Sequence, residues 1–90
     1  MKRYRIIIFG NVQGVGFRWY ARDIAKISDI TGIVKNLYDG TVEIVAEGEE
    51  DILESFILEL KKGYLGSNID NIESTEEPST QKFTDFRIVF

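Results

Sequence analysis

A glycine-rich stretch directly before a predicted helix carries the residues best suited to chemistry. It runs from Gly10 to Arg18, with further glycines at positions 14 and 16. The N-terminus of a helix carries about half a positive charge, so an arginine is unfavourable there unless an anion lies beside it. Glycine-rich backbone, a helix N-terminus and a guanidinium group together predict a small pocket for a phosphate-like group.

Each of these features also has a simpler explanation. The stretch does not match the dinucleotide-binding fingerprint, because the sixth position counted from Gly14 is Trp19, and it lacks the Gly-Lys-Ser/Thr of a P-loop. A loop with three glycines is most often a flexible connection, and a helix arginine is most often solvated. The occurrence of both at the start of one helix is much less common, which favours the anion site.

A second candidate residue, Asn36, lies at the predicted end of a strand, beside the turn signal Asp39-Gly40. Taken alone, an asparagine in this position most often caps the local backbone. In the fold that the element order predicts, however, this strand end approaches the loop before the first helix. The carboxamide of Asn36 is therefore a candidate second component of the same pocket.

Composition excludes several kinds of site. The 90 residues contain no histidine and no cysteine, so an imidazole base, a thiolate nucleophile and a thiolate metal site are all excluded. The length predicts one domain, residues 1–90, with a single core. No apolar run approaches the roughly 20 residues of a membrane span, and the N-terminus lacks a signal-peptide pattern. We therefore expect a cytoplasmic protein that does not bind membranes.

Charge is distributed unevenly along the chain. Residues 1–45 contain seven Lys or Arg and four Asp or Glu, whereas residues 46–90 contain four and eleven. An acidic protein is a poor partner for nucleic acid, because that binding depends on the neutralisation of many phosphates. The basic first half suits one small anion, although solvated faces of opposite charge explain the imbalance equally well.

The hydrophobic pattern predicts the element order strand, helix, strand, strand, helix, strand. The predicted strands are residues 2–9, 33–37, 41–47, a weak strand at 69–74 and a final strand at 83–90, and the predicted helices are residues 17–28 and about 50–62. This order is typical of the α+β class with a ferredoxin-like sandwich (βαββαβ), an antiparallel sheet with two helices packed on one face. We expect Asp29 and Gly63 to end the two helices, and Glu43 and Glu47 to face solvent.

Two motifs make the chain resemble the acylphosphatase family. They are Gly10-x-Val12-Gln13-Gly14-Val15-Gly16-Phe17-Arg18 and Gly32-x-Val34-x-Asn36-x-x-Asp39-Gly40-x-Val42-Glu43. The pair is far more specific than a single glycine loop, and the resemblance covers essentially the whole chain. It implies the ferredoxin-like fold and hydrolysis of the mixed anhydride between a carboxylic acid and phosphate.

The resemblance also implies roles for individual residues. Arg18 matches the family's phosphate-binding arginine and Asn36 its water-orienting asparagine, so both are the expected catalytic residues. The expected phosphate-binding loop comprises the backbone N–H groups of Asn11, Val12, Gln13, Gly14, Val15, Gly16 and Phe17, together with Arg18. We expect no cofactor and no metal, a small-molecule acyl phosphate as substrate, inorganic phosphate as a competitive inhibitor, and a monomer.

Acyl phosphate hydrolysis is compatible with this limited set of side chains. The leaving group is a carboxylate, whose conjugate acid has a pKa of about 4, so no general acid is required. Phosphoryl transfer passes through a loose transition state that demands little of the nucleophile, so water needs orientation more than deprotonation. A carboxamide cannot act as a base, but it can orient a water molecule by hydrogen bonding.

Alternative functions on the same fold stay open. The main alternative is a non-catalytic anion-binding or regulatory domain, which would bind phosphate without hydrolysing an acyl phosphate. A module that handles carbamoyl phosphate within a larger protein is a further alternative, which nothing in this sequence favours. An RNA-recognition module and a metal chaperone fit the acidic, cysteine-free sequence poorly.

Some residues depart from the family pattern or allow more than one interpretation. The departures are Asp29, Ile33, the segment 63–66 and Val89-Phe90, all expected to lie outside the proposed site. The aromatic side chains of Phe9, Trp19 and Tyr20 are expected to have packing roles rather than to contact substrate.

Overall fold

A computed structural model describes all residues from 1 to 90. The strands are β1 (Lys2–Gly10), β2 (Thr31–Asn36), β3 (Val42–Gly48), β4 (Ile69–Glu77) and β5 (Phe86–Val89), and the helices are α1 (Phe17–Ile27) and α2 (Glu50–Lys62). One turn of 3-10 helix, Gly66–Asn68, precedes β4. Neither α-helix is long and apolar enough to cross a membrane.

The five strands form one sheet in the order β4-β1-β3-β2-β5. β1 pairs antiparallel with β3 and β4, and β2 pairs antiparallel with β3, which confirms the ferredoxin-like arrangement. β5 is an additional edge strand that pairs parallel with β2, so the sheet is mixed rather than wholly antiparallel. Since β4 and β5 lie at opposite edges, the loop of residues 78–85 must cross the sheet between them.

Both helices pack on one face of the sheet. Alternate residues of β1 and β3 point to this face, and Ile6, Ile8, Ile44 and Ala46 are fully buried there. The helices cover them with Phe17, Tyr20, Ala21 and Ala25 of α1 and Leu53, Phe56 and Leu60 of α2. Burial of one large apolar side chain stabilises a protein by roughly 1.5–3 kcal/mol, so this shared core holds β1, β3 and both helices together.

The opposite face of the sheet is charged but partly covered, so the predicted exposure of Glu43 and Glu47 is wrong. The Glu47 carboxylate accepts hydrogen bonds from the N–H groups of Thr80 and Gln81, each at 3.0 Å. Glu43 forms an ion pair with Arg5 at 2.6 Å. The alternation of residues in β3 predicts which side chains share a face, but it does not reveal that the 78–85 loop crosses that face.

Both helices end at the predicted positions, but the reason for the glycine at the end of α2 differs from the predicted one. Asp29 has a φ of 59°, the left-handed conformation expected after the last turn of α1. Gly63 follows α2, but its φ of −73° is not left-handed. Glycine is needed at 63 because a Cβ there would overlap the ring of Tyr20. The Tyr20 hydroxyl donates to the Leu60 carbonyl at 2.8 Å and thereby joins the two helices.

The last two strands differ in length from the predicted ones. β4 extends to Glu77, beyond the weak strand predicted at 69–74, because β1 pairs with it as far as Arg3. β5 is limited to 86–89, because only four of its residues pair with β2.

Candidate active site

The loop between β1 and α1, residues 11–16, has a backbone that requires glycine at two positions. Gly14 and Gly16 have φ angles of 76° and 83°, in the left-handed region that costs other residues roughly 1–2 kcal/mol. A Cβ at either position would meet no atom within 4 Å, so the requirement is conformational rather than steric. Gly16 is also the N-cap residue of α1, so the left-handed turn leads directly into the helix.

This loop leaves a run of backbone N–H groups without a partner in the protein. None of the N–H groups of residues 12–16 donates to another protein group, and α1 begins with Tyr20 donating to the Gly16 carbonyl at 3.1 Å. No side chain caps the helix, and no acidic residue lies in its first turn. Consecutive free N–H groups around left-handed residues at a helix N-terminus are typical of an anion-binding nest.

Asn11 differs from the other predicted loop donors. Its N–H donates to the Asn68 carbonyl at 3.0 Å, and its carbonyl accepts a hydrogen bond from the Asn68 carboxamide at 2.9 Å. This N–H is already paired, so Asn11 anchors the loop to the segment before β4. Val12 and Phe17 anchor it as well, because their side chains are buried in the core.

Arg18, the second residue of α1, extends its side chain to the end of β5. Its Nη1 donates to the Val89 carbonyl at 3.4 Å, and its guanidinium carbon lies 4.8 Å from the centroid of the Phe90 ring. No carboxylate forms an ion pair with Arg18. A guanidinium has five N–H donors, so the one long contact to Val89 leaves most of them for a ligand.

Asn36, the last residue of β2, lies at the same edge of the sheet as the loop and Arg18. It pairs with Val42 of β3. On its other side, Val42 pairs with a residue near the end of β1. β5 runs parallel to β2 on the other side, with Val89 in register with Lys35. The loop after β1 and the residues that contact Arg18 therefore flank Asn36 on both sides. The Asn36 Oδ1 is buried and accepts no hydrogen bond from the protein.

The side chain of Gln13 joins the loop to the turn that follows Asn36. Its Nε2 donates to the carbonyls of Leu37 at 2.7 Å and Thr41 at 2.8 Å. The Leu37 N–H donates to the Thr41 carbonyl at 2.9 Å, so the same two residues close the β2–β3 turn. Asp39 accepts hydrogen bonds from the hydroxyl and the N–H of Thr41, which hold the pKa of the Asp39 carboxyl below its ordinary value.

Comparison with known proteins agrees with this geometry. The family model described as acylphosphatase matches residues 4–88. The chain belongs to the acylphosphatase family. The acylphosphatases of Clostridium acetobutylicum and Bacillus subtilis are 42% and 44% identical to it over 90 residues, which are 100% of this chain and 99% of each relative. The crystal structure of acylphosphatase from Bacillus subtilis superposes on this structure with a TM-score of 0.92, and the alignment includes 100% of both chains.

Membership of this family confirms what the two sequence motifs predicted about fold and activity. The protein is a hydrolase that acts on acid anhydrides, and the family implies a small-molecule acyl phosphate as substrate. The roles of individual residues are a separate matter and stay predictions.

The candidate acylphosphatase site is not a well-formed cavity, because none of the hollows on the surface is lined by the 11–16 loop, Arg18 or Asn36. The largest hollow on the surface, about 530 Å³, lies elsewhere, between β4 and α2, and is lined by Tyr4, Glu54, Ile57, Leu58, Ser74 and Glu76. A phosphoryl group does not require a deep apolar cavity, because N–H and guanidinium donors recognise it through charge and geometry. No group of three or more His, Cys, Asp or Glu side chains is placed to hold a metal ion.

The structure adds side chains to the acylphosphatase site that sequence reasoning missed. The sequence predicts only a backbone N–H role for Gln13, but its carboxamide also joins the loop to the β2–β3 turn. The expectation that Val89 and Phe90 lie outside the site is wrong, since both contact Arg18. The pairing of β5 with β2 places them there, and a local sequence pattern does not encode that pairing.

The three aromatic residues near the loop differ in how far they are buried. Tyr20 is buried in the core. Trp19 is 46% exposed and lies beside Phe90, with ring centroids 6.3 Å apart. Phe9 is only half-buried. The exposed pair of Trp19 and Phe90 therefore forms an aromatic surface next to the guanidinium of Arg18.

Proposed function

We propose that this acylphosphatase holds the phosphoryl group of its substrate with loop N–H groups and Arg18, while Asn36 orients the attacking water. The observation that supports the proposal is that three polar features with hydrogen-bonding capacity left for a ligand lie at one edge of the sheet. These are the free N–H groups of residues 12–16, a guanidinium without a carboxylate partner, and the buried, unpartnered Oδ1 of Asn36.

The loop and Arg18 serve the phosphoryl group together. The N–H groups of residues 12–17 donate to the non-bridging oxygens, and the guanidinium donates to the same oxygens as a two-pronged fork. Because these donors are already in place, they stabilise charge that develops on the oxygens without reorganisation. The N–H of Asn11 is already hydrogen-bonded within the protein and is not part of this set. The proposed phosphate-binding donors are therefore fewer than those predicted from the sequence.

Asn36 positions the nucleophile, which is the attacking water molecule. A buried carbonyl oxygen without a donor costs roughly 1–3 kcal/mol, and the carboxamide recovers that cost when it turns so that a water molecule can donate to Oδ1. The carboxamide does not deprotonate this water but holds it in line with the bond that breaks. The water forms a new P–O bond as the P–O bond to the acyl group breaks, and the carboxylate departs with the electron pair.

The same scheme requires no histidine, no cysteine and no metal cofactor. A carboxylate is a good leaving group, so neither a proton donor nor a Lewis acid is needed at its oxygen. Inorganic phosphate, one of the two products, occupies the loop in the same way and is expected to inhibit competitively. A monomeric state and a cytoplasmic location stay predictions from the sequence.

The test compares benzoyl phosphate with an aryl phosphate monoester as substrates, in the presence of EDTA. We expect turnover of the acyl phosphate alone, unchanged by the chelator, with competitive inhibition by inorganic phosphate. A requirement for added divalent cations would contradict the metal-free scheme. Phosphate binding without any turnover would support the alternative of a non-catalytic anion-binding domain.

A further inference from the structure

The Gln13 side chain is the only hydrogen-bonded link between the phosphate loop and the segment that carries Asn36. No backbone hydrogen bond joins residues 11–16 to residues 36–42, and no side chain other than Gln13 bridges them. On the opposite side, the loop is tied to Asn68 through Asn11. Burial of Val12 and Phe17 fixes the base of the loop in the core, and Gln13 makes the only direct polar contact that holds the loop against the segment of Asn36.

The contacts determine which end of the Gln13 carboxamide faces the turn. Both neighbours, the carbonyls of Leu37 and Thr41, are acceptors, so the nitrogen must face them and each of its two hydrogens has a partner. The side chain is half-buried, and its hydrogen bonds of 2.7 and 2.8 Å lie at the short end of the usual range. Glutamine is thus matched to this position by its two donors as well as by its length.

The turn that Gln13 binds is itself rigid. Leu37 and Thr41 are joined by a backbone hydrogen bond, and Asp39 accepts two further hydrogen bonds from Thr41. Leu37 directly follows Asn36, which is paired with Val42 at the end of β2. A movement of the loop away from this turn would therefore change the distance between the bound phosphoryl group and the Asn36 carboxamide.

We infer that Gln13 is a positioning residue, which sets the phosphate loop against Asn36 so that the attacking water and the phosphorus atom are in line. The inference rests on the roles proposed above for the loop, Arg18 and Asn36. Binding of phosphate requires only the loop and Arg18. Attack by the water molecule also requires the loop and Asn36 to be correctly positioned relative to each other. Loss of Gln13 should therefore lower kcat and leave phosphate affinity nearly unchanged.

The experiment uses two replacements of Gln13 with different chemistry. Gln13→Met keeps a similar length but has no donor, and Gln13→Glu keeps the shape but places a carboxylate against two carbonyls. A displacement of about 1 Å between reacting groups can cost about 100-fold in rate, so we expect kcat to fall by about 10- to 100-fold in Gln13→Met and further in Gln13→Glu. In the uncharged variant Gln13→Met, the inhibition constant of inorganic phosphate should change by less than about threefold, whereas the added carboxylate of Gln13→Glu should weaken phosphate binding by repulsion.

The matched control variant replaces an amide side chain that lies outside the proposed site. Asn71→Asp makes the same amide-to-carboxylate change on β4, where the Asn71 side chain is exposed and makes no hydrogen bond. We expect wild-type kcat for this variant. Urea unfolding of all variants corrects for any fraction of unfolded protein, so a loss of kcat is not confused with a loss of stability.

A double-mutant cycle with Asn36→Ala separates positioning from a general structural role. If Gln13 acts through Asn36, Gln13→Met should lower kcat in the wild-type background and have little further effect in Asn36→Ala. Additive losses, or a rise in the phosphate inhibition constant as large as the fall in kcat, would overturn the inference. If Asn36→Ala itself keeps the wild-type kcat, it is the proposed role of Asn36 that fails.

A spectroscopic readout tests the same point without turnover. In the phosphate-bound protein, Gln13→Met should shift the side-chain amide signals of Asn36 in ¹⁵N–¹H spectra and leave the Nε–H signal of Arg18 in place. Unchanged Asn36 signals would overturn the inference, because the loop and Asn36 would then keep their relative position without Gln13.

Discussion

Arg18 reaches the site from a helix, but residues at the end of a strand hold it there. Its guanidinium contacts the Val89 carbonyl and lies over the ring of Phe90. The free N–H groups at the start of α1 are unfavourable neighbours for a cation, so these two contacts are needed to hold the guanidinium in position for an anion before one is bound. The identity of residue 90 should therefore influence how well Arg18 is prepared for phosphate.

Replacement of Phe90 by leucine tests this support. A cation–π contact at an exposed site is worth about 0.5–1 kcal/mol, so Phe90→Leu should weaken inhibition by inorganic phosphate about two- to fivefold. Phe83→Leu is the matched control, because the Phe83 ring lies 5.5 Å from Arg3, away from the loop. Equal effects of the two variants on phosphate inhibition would show that the Phe90 ring has no special role.

At the scale of elements, the loop before α1 depends on backbone conformation rather than on side-chain contacts. Gly16 ends the loop with a left-handed φ of 83° and begins the helix. The glycine positions and the helix start were predictable from the sequence, because both are local properties of the chain. The paired N–H of Asn11 was not predictable, because it depends on Asn68, 57 residues further along the chain.

Alanine at position 16 tests the conformational requirement. The space around a Cβ at 16 is open, so Gly16→Ala introduces only left-handed strain of roughly 1–2 kcal/mol. We expect the loop to move out of this conformation and phosphate inhibition to weaken by about 5- to 30-fold. Gly40→Ala, with a comparable φ of 92° and open space, should lose similar stability but keep its phosphate affinity. Unchanged phosphate inhibition in Gly16→Ala would contradict the role of the loop.

The β2–β3 turn provides a prediction about acid sensitivity. Hydrogen bonds from the Thr41 hydroxyl and N–H lower the pKa of Asp39 from its ordinary value of 3.8. A carboxyl whose folded-state pKa is lowered adds stability above its unfolded pKa, and that stability is lost as the pH falls through the lower folded value.

Urea unfolding between neutral pH and about pH 3 measures this contribution. We expect the wild-type free energy of unfolding to fall below about pH 4, and Asp39→Asn to show a smaller fall because residue 39 no longer titrates. Asp70→Asn is the control, since the exposed Asp70 carboxylate makes no hydrogen bond. Identical pH profiles for wild type and Asp39→Asn would contradict the prediction.

At the scale of the whole molecule, the site is completed by a segment that crosses the sheet. The 78–85 loop carries the chain from one edge, at β4, to the other, where β5 brings Val89 and Phe90 to Arg18. The buried Glu47 carboxylate binds this loop through the N–H groups of Thr80 and Gln81. A residue on the face of the sheet opposite the helices thus supports the residues that hold Arg18.

Replacement of Glu47 by glutamine should therefore reduce stability. Hydrogen bonds to a charged group are worth about 1.5–3 kcal/mol, and the glutamine amide turns a donor toward N–H groups that need an acceptor. We expect the free energy of unfolding in urea to fall by about 1–3 kcal/mol. Glu73→Gln, at an exposed residue of β4 whose carboxylate makes no ion pair, should change it little. Equal effects of the two variants would contradict the buried role of Glu47.

Sequence predicted more of this molecule at short range than at long range. The helix ends at Asp29 and Gly63, the turn at Asp39-Gly40 and the family motifs all depend on neighbouring residues, and they were identified correctly. The parallel pairing of β5, the burial of Glu47 and the contacts of Phe90 depend on which strands become neighbours. Pairing between distant strands is specified by the packed sheet as a whole, so local patterns do not reveal it.

The most direct test of the central proposal measures kcat and the phosphate inhibition constant for Asn36→Ala beside Arg18→Gln. Asn36→Ala should lower kcat by at least about 100-fold while phosphate inhibits as in the wild type, because only the attacking water loses its partner. Arg18→Gln should lower kcat by roughly 10³–10⁵-fold and weaken phosphate inhibition as well. If Asn36→Ala instead abolished phosphate inhibition and lowered kcat no further than that loss explains, Asn36 would be a phosphate ligand and the proposed division of roles would be wrong.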